Sequence, residues 1–317
     1  MHWLAKAGLQ KAVSALPRAE RANYLLQRHV TRSLPASERS FRRKFGRALI
    51  HLEAYGRHGP RRPLGDAVFY EFGAGWDLTI PLSYWALGVD RQVLVDLRPH
   101  VRAELVAATL ERFRQLRPEL EDEAERPLRD PGLDARLDRL AGDFGIEYLA
   151  PRDARRTGLD AGSVDFVTST STLEHVPAGD VLPLLAECRR LLVTDGAMSS
   201  VIDLRDHFSY FDRTLSPYNF LRYSDRVWRL VDSDLGHQNR LRWPDYPPLF
   251  AAAGLAIVSE RRKTPRRRKA AQLREIELAP RFRGYRPADL AVIRLDLVAR
   301  PAGGLPDAAQ KLRDLGG

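Results

Sequence analysis

From the N-terminus to about residue 62, apolar and basic positions alternate at helical spacing, broken at Pro17 and Pro35, and the stretch ends in Gly56, Gly59, Pro60 and Pro63. This pattern predicts a helical N-terminal extension and a linker. The next run, Ala67 to Phe72, is almost wholly apolar and stops at Gly73-Ala74-Gly75, as a buried strand ending in a loop does. A helix over Leu78–Leu87 and a strand over Gln92–Leu97 follow, then a charged helical stretch over 101–140 interrupted near Pro127 and Pro131. Further strands are predicted at Ile146–Leu149, Val164–Ser169 and Ala197–Leu204. The helix Leu182–Leu192 and the turn Thr194-Asp195-Gly196 precede the last of these. Residues 205–247 lose all regularity and become aromatic. A helix at Leu249–Ala253 and strands at Leu255–Glu260 and Leu290–Arg300 complete the pattern. Strands alternating with helices imply an α/β fold with a doubly wound, mainly parallel sheet. The expected organisation is therefore an extension (1–62) and one α/β domain (63–317) carrying 205–247 as an acceptor-side cap inserted after strand five.

Chemistry concentrates at the carboxyl ends of the predicted strands. Gly73 and Gly75 allow a tight turn and leave no Cβ in the way of a ligand, and Glu71 points into the same crevice. Asp96 ends the second strand, where a carboxylate can accept hydrogen bonds from both ribose hydroxyls of an adenosine-containing ligand. A dinucleotide fingerprint wants a third glycine where Leu78 stands. Trp76 and Asp77 follow the second glycine instead, a bulky anionic pair that disfavours a diphosphate and suits a cationic sulfonium.

The segments Glu71–Asp77, Asp96, Asp165–Val176 and Arg190–Gly196 resemble, in order and spacing, the successive motifs of class I S-adenosylmethionine-dependent methyltransferases. The resemblance is specific over about 66–204 and looser over 249–300. It implies a Rossmann-like fold with S-adenosyl-L-methionine as cofactor. The methionine portion would lie at Glu71, Gly73, Ala74 and Gly75, the ribose at Asp96, and the adenine at Asp153 and Ala154, with Ser169 lining the mouth. The chain departs from the family in having Trp76 for a small residue and Thr194-Asp195-Gly196 for a Pro-Gly-Gly turn.

For catalysis the candidates are His207, oriented by Asp203 or Asp206, and His175, an imidazole being the side chain best matched to proton transfer near neutral pH. Methyl transfer to a good nucleophile needs mainly in-line positioning, so a dedicated base is not required. Phe208, Tyr210, Phe211, Tyr218, Phe220, Tyr223, Trp228 and Trp243 offer an apolar wall for the acceptor. Asp206, Tyr210, Asn239 and Arg240 are candidates to hold its polar groups.

Composition narrows the classes. A single cysteine, Cys188, excludes an internal disulfide and any cysteine-cluster metal site, and no metal site of another kind is read from the sequence. No apolar run approaches the roughly 20 residues of a membrane span, and the N-terminus lacks a secretory pattern, so a cytoplasmic location is expected. The net charge of +10 comes mostly from arginines spread along the chain, densest at 39–47 and 261–269. A small-molecule or glycan acceptor methylated on oxygen is the leading expectation. A nucleic-acid methyltransferase is weakened because Ser169-Thr170-Ser171-Thr172 stands where amino-methylating enzymes carry Asn-Pro-Pro-aromatic. A cofactor-binding module without turnover is the remaining alternative, and oligomeric state is not legible.

Overall fold

The computed structural model describes residues 3–14, 19–25, 27–28, 34–130, 132 and 136–303. The breaks expected at Pro17 and Pro131 and residues 304–317 of the α/β domain lie outside these. Seven strands form one sheet: β1 (Val68–Phe72), β2 (Arg91–Val95), β3 (Ile146–Leu149), β4 (Val164–Thr170), β5 (Leu192–Asp203), β6 (Leu255–Lys263) and β7 (Arg294–Pro301). Their order is β3-β2-β1-β4-β5-β7-β6. The first five run parallel, and β7 lies antiparallel to both β5 and β6. This is the Rossmann-like, doubly wound arrangement, with its strand order reversing at β1.

Helices in chain order are α1 (Trp3–Ser14), α2 (Ala19–Leu25), α3 (Glu38–His58), α4 (Thr79–Ala86), α5 (Ala103–Gln115), α6 (Arg117–Ala124), α7 (Leu140–Phe144), α8 (Ala178–Leu191), α9 (Asp225–Val231), α10 (Tyr246–Ala252), α11 (Arg267–Ala271) and α12 (Pro287–Leu290). A parallel sheet must be covered on both faces. On one face α3, α4 and α5 bury Phe41, Phe45, Ala48, Leu82 and Tyr84 against Phe69, Leu94 and Phe166. On the other, Leu184, Cys188, Tyr246 and Phe250 of α8 and α10 pack on Tyr70, Phe72, Val167 and Met198. Cys188 is buried there as an apolar side chain.

Two stretches behave differently from their sequence pattern. Helix α3, from the stretch expected as an extension, lies directly on the sheet. It starts where Ser37 accepts the N–H of Ser40 and carries Arg57 and His58 in its last turn. The turn expected at Thr194-Asp195-Gly196 is inside β5, because Leu192 already pairs with Val164. The step from Val164 to Phe166 on β4 is matched by Leu192 to Ala197 on β5, so the surplus residues are absorbed as a bulge.

Residues 205–247 fold into short helical turns around a second core, in which Phe208, Tyr218, Phe220 and Trp228 pack with Trp3 and Ala7 of α1 and with Phe282 and Leu290. Among the described residues no helix is long and apolar enough to cross a membrane.

Candidate active site

The carboxyl ends of the parallel strands β1, β2, β4 and β5 lie along one edge of the sheet, where a doubly wound fold takes its ligand. There Glu71 is buried, its Oε2 has no hydrogen-bond partner, and burial together with the nearby Asp96 raises its carboxyl to about 8. The chain then turns through Gly73 (φ 74°) and Gly75 (φ 81°), in the left-handed region that side chains disfavour. The two glycines serve different ends. A Cβ on Gly73 would stand 2.5 Å from Cγ2 of Thr172, whereas a Cβ on Gly75 would meet nothing within 4 Å. Gly73 is needed for packing and Gly75 lines open space.

Asp96 follows β2 directly. Its main chain is locked by Asp96 N–H to Leu149 O (3.2 Å) and Arg152 N–H to Asp96 O (2.9 Å), and its Oδ2 accepts the Tyr148 hydroxyl at 3.0 Å. Burial raises the carboxyl to about 7, against the stabilising bonds from Tyr148 and the Ala74 N–H. Strand alternation puts Asp96 on the same face as Leu94, and Glu71 opposite its partner Thr168. Ser169, one residue further along β4, therefore faces the other way. It is buried with an unpartnered hydroxyl on the α8 side, so its side chain does not reach the crevice that holds Glu71.

Several sequence expectations change here. Asp153 does not present a free carboxylate: the N–H and guanidinium of Arg155 occupy both oxygens, and Ala154 packs against the core beneath. Asp77 does not offer its charge to a sulfonium. It is ion-paired at 2.6 Å with Lys44 of α3 and accepts from Thr79, and although burial opposes it, this pairing holds the carboxyl below its usual range. Trp76 stacks on Tyr24 of α2 and lies against His100, away from the glycine turn.

The acceptor-side candidates divide in the same manner. Asn239 spends its amide on the carbonyls of Leu173 and Val176 and accepts from Leu241 N–H. Arg240 is buried between Trp228 and Phe282, donating to Phe220 O, Tyr223 O and Asp225. Asp206 accepts from Phe208 N–H and Asn219 and does not orient an imidazole. All three hold the insert together and are not open to a ligand. Of the expected aromatic wall, Phe208, Tyr218, Phe220, Trp228 and Trp243 are core; Tyr210 and Phe211 remain exposed, with the Lys6 ammonium over the Phe211 ring.

At the ends of β4 and β5 the rings of His175 and His207 meet with centroids 4.9 Å apart. Asp203 does not orient His207, which lies 3.9 Å away; its oxygens are taken by a bidentate Arg205 and by the Tyr210 hydroxyl. Although burial opposes it, Arg205 holds the Asp203 carboxyl down to about 2, while burial pushes the His207 imidazole down to about 3. A side chain neutral over the whole physiological range is a weak proton acceptor. Glu174, beside them, is buried and pushed up to about 8 by burial and by Asp203.

Sequence reasoning expected a helix here, and help from it toward the acceptor, but singled out none of the polar side chains of α3. Arg47 donates to Ser171 Oγ at 2.8 Å, and His51 bridges Ser199 Oγ (2.8 Å) and Thr170 Oγ1 (3.0 Å). The signal was present as a polar stripe, Lys44, Arg47 and His51, beside the apolar stripe Phe41, Phe45 and Ala48.

Comparison with known proteins places this crevice in context. Residues 123–199, from the end of α6 into β5, match a family model described as a methyltransferase domain. None of the curated proteins matches the chain. Similar solved structures include a sarcosine dimethylglycine methyltransferase from Galdieria sulphuraria, described there as putative (14% identity, 82% of this chain and 86% of that one, TM-score 0.43). Another is geranyl diphosphate C-methyltransferase from Streptomyces coelicolor A3(2), in complex with Mg2+, geranyl diphosphate and S-adenosyl-L-homocysteine (14% identity, 83% and 82%, TM-score 0.46). A third is a Haloferax volcanii complex between the Trm112 methyltransferase activator and a methyltransferase (14% identity, 84% and 96%, TM-score 0.44).

Proposed function

From the premise that this chain carries a methyltransferase domain whose donor is S-adenosyl-L-methionine, we propose that it methylates an oxygen of a small-molecule or glycan acceptor. The observation that carries the reading is the paired construction of the crevice: open space at Gly75 beside a buried carboxylate, Asp96, held ready by Tyr148. In this reading Glu71, Gly73, Ala74 and Gly75 surround the methionine portion. Asp96 takes the ribose, and the main chain of Asp153 and Ala154 borders the adenine.

The acceptor then enters between Tyr210 and Phe211 of the insert and the His175–His207 pair, near the end of β5. Tyr210 is a positioning residue for it, supported by its bond to Asp203. Because the His207 imidazole is held so far below neutrality, the rate comes chiefly from in-line placement of the acceptor oxygen against the methyl group, with water kept out by the insert. Part of the arginine surplus is neutralised within the chain. Arg155, Arg190, Arg205, Arg240, Arg261 and Arg294 are all engaged by carboxylates of the chain itself, which favours a small acceptor over nucleic acid.

The test is incubation with S-adenosylmethionine carrying a labelled methyl group and a panel of phenols, polyols, sugar nucleotides, amines and RNA, with products identified by mass spectrometry. Label on a hydroxyl compound is the expected result. Transfer confined to amines or RNA overturns the acceptor assignment.

A further inference from the structure

Glu174, His175 and His207 each offer a ligand atom, and these atoms all lie within 4.8 Å of one another. Glu174 is 3% exposed, and neither of its carboxylate oxygens has a hydrogen-bond partner. Buried carboxylates are ordinarily satisfied, so two empty acceptor atoms call for a partner. Of the cations nearby, Arg205 is bidentate on Asp203, and Arg47 donates to Ser171 but makes no hydrogen bond to Glu174.

The two imidazoles meet the same point with the right atoms. Nδ1 of His175 lies 2.6 Å from the carbonyl oxygen of His237; a carbonyl only accepts, so Nδ1 carries the proton and Nε2 keeps its lone pair free. A backbone carbonyl fixing the tautomer and ring orientation of a histidine is the usual support behind a metal-bound imidazole. The peptide of His237 is itself held in place, since its ring Nδ1 lies 2.6 Å from Asp232. On His207, Nε2 is buried and without a hydrogen-bond partner.

We propose that Glu174, His175 and His207 bind a divalent transition-metal ion of the zinc, cobalt or manganese type. Two neutral imidazoles and one carboxylate suit such an ion better than magnesium or calcium, which take oxygen ligands throughout. Tetrahedral bonds of about 2.0–2.2 Å put ligand atoms about 3.3–3.6 Å apart, so side-chain rotations of about an ångström close the site. Three protein ligands leave a position open. Exposed His175 supplies the entry path. The inference rests on the methyl-transfer reading only for its use: the open position faces the acceptor side, where an acceptor oxygen can occupy it.

The experiment is titration of the full-length, chelator-treated protein with Co2+, followed by its visible absorption bands, with Zn2+ as competitor and S-adenosylhomocysteine calorimetry on the same sample. One equivalent of Co2+ displaced by Zn2+ is expected. His207→Ala and Glu174→Gln, each checked by circular dichroism, should weaken the affinity more than about tenfold. Absence of cobalt bands in the parent protein at millimolar metal, or unchanged affinity in both folded variants, overturns the metal site. S-adenosylhomocysteine binding that persists in that case leaves the methyltransferase reading standing and rejects the metal alone. If a variant fails to fold, the parent titration decides.

Discussion

Tyr148 donates its hydroxyl proton to Oδ2 of Asp96 across 3.0 Å, tying the strand before the adenine loop to the carboxylate assigned to the ribose. Because burial raises Asp96 to about 7, cofactor binding is expected to depend on pH. In the proposed reading the ionised carboxylate accepts from both ribose hydroxyls, so affinity for S-adenosylhomocysteine should fall as pH drops through about 7. Calorimetry across pH 5.5 to 8.5 checks this, those limits being chosen to bracket that value. Asp96→Ala should lose roughly 1.5–3 kcal/mol of binding and flatten the profile. Tyr148→Phe should move the midpoint upward, since it removes a bond made to the charged form.

Gly73→Ala and Gly75→Ala should part company. Both demand a left-handed backbone, costing about 1–2 kcal/mol for an L side chain. Only Gly73 also carries Thr172 against its Cα, so Gly73→Ala should show the larger drop in Tm. Gly75→Ala, with open space around the new methyl, should lose S-adenosylhomocysteine affinity instead. Equal thermal losses for the two would contradict the packing assigned to Gly73.

Lys44→Met should cost about 1–3 kcal/mol, between the values for an exposed and a fully buried pair, because Lys44 is partly exposed. The pH sign follows from Asp77, whose folded carboxyl is lowered despite its burial. Its contribution is present above the ordinary carboxylate range and lost as pH falls through the folded value. The stability deficit of the variant should therefore be greatest near neutrality and shrink in acid, as urea titrations at several pH values will show.

Arg242 is fully buried, and its guanidinium donates to the carbonyls of Leu204, Leu290 and Val292. Arg242→Met leaves three acceptors without donors and should destabilise the protein by about 3 kcal/mol or more. Its contacts end at the close of β5, so cofactor affinity of the folded fraction should be unchanged. A variant of normal stability but altered acceptor KM would instead mark Arg242 as part of the acceptor site.

The strands, and the placing of the Gly73–Gly75 turn and of Asp96 at strand ends, were legible because each obeys a local rule. An apolar run ending in Gly-X-Gly, and an acid at the end of the next strand, can be read from neighbours in the chain. The acceptor side was not, and Asn239, Arg240 and Asp206 show why. Their residue types match ligand-binding chemistry, but Asn239 and Arg240 donate to main-chain carbonyls and an aspartate brought close only by the fold, and Asp206 accepts from its own turn at Phe208 and from Asn219. The bulge in β5 escaped for a related reason. Asp195-Gly196 has turn composition, yet the pairing of Leu192 with Val164, contributed by another strand, overrides it.

Helix α3 also constrains how the chain is made. His51 finds Thr170 119 residues later and Ser199 148 residues later in the sequence. On a ribosome, the helix is complete long before either hydroxyl has been synthesised. Until β4 and β5 emerge, its imidazole lacks both hydroxyl partners and the Phe41–Phe45–Ala48 stripe has only β1 and β2 to cover, so the nascent chain carries a partly unsatisfied amphipathic helix until Ser199 has been made. Truncated chains ending before Ser199 should be aggregation-prone, a property that translation arrest would expose and that no assay on the finished protein would detect.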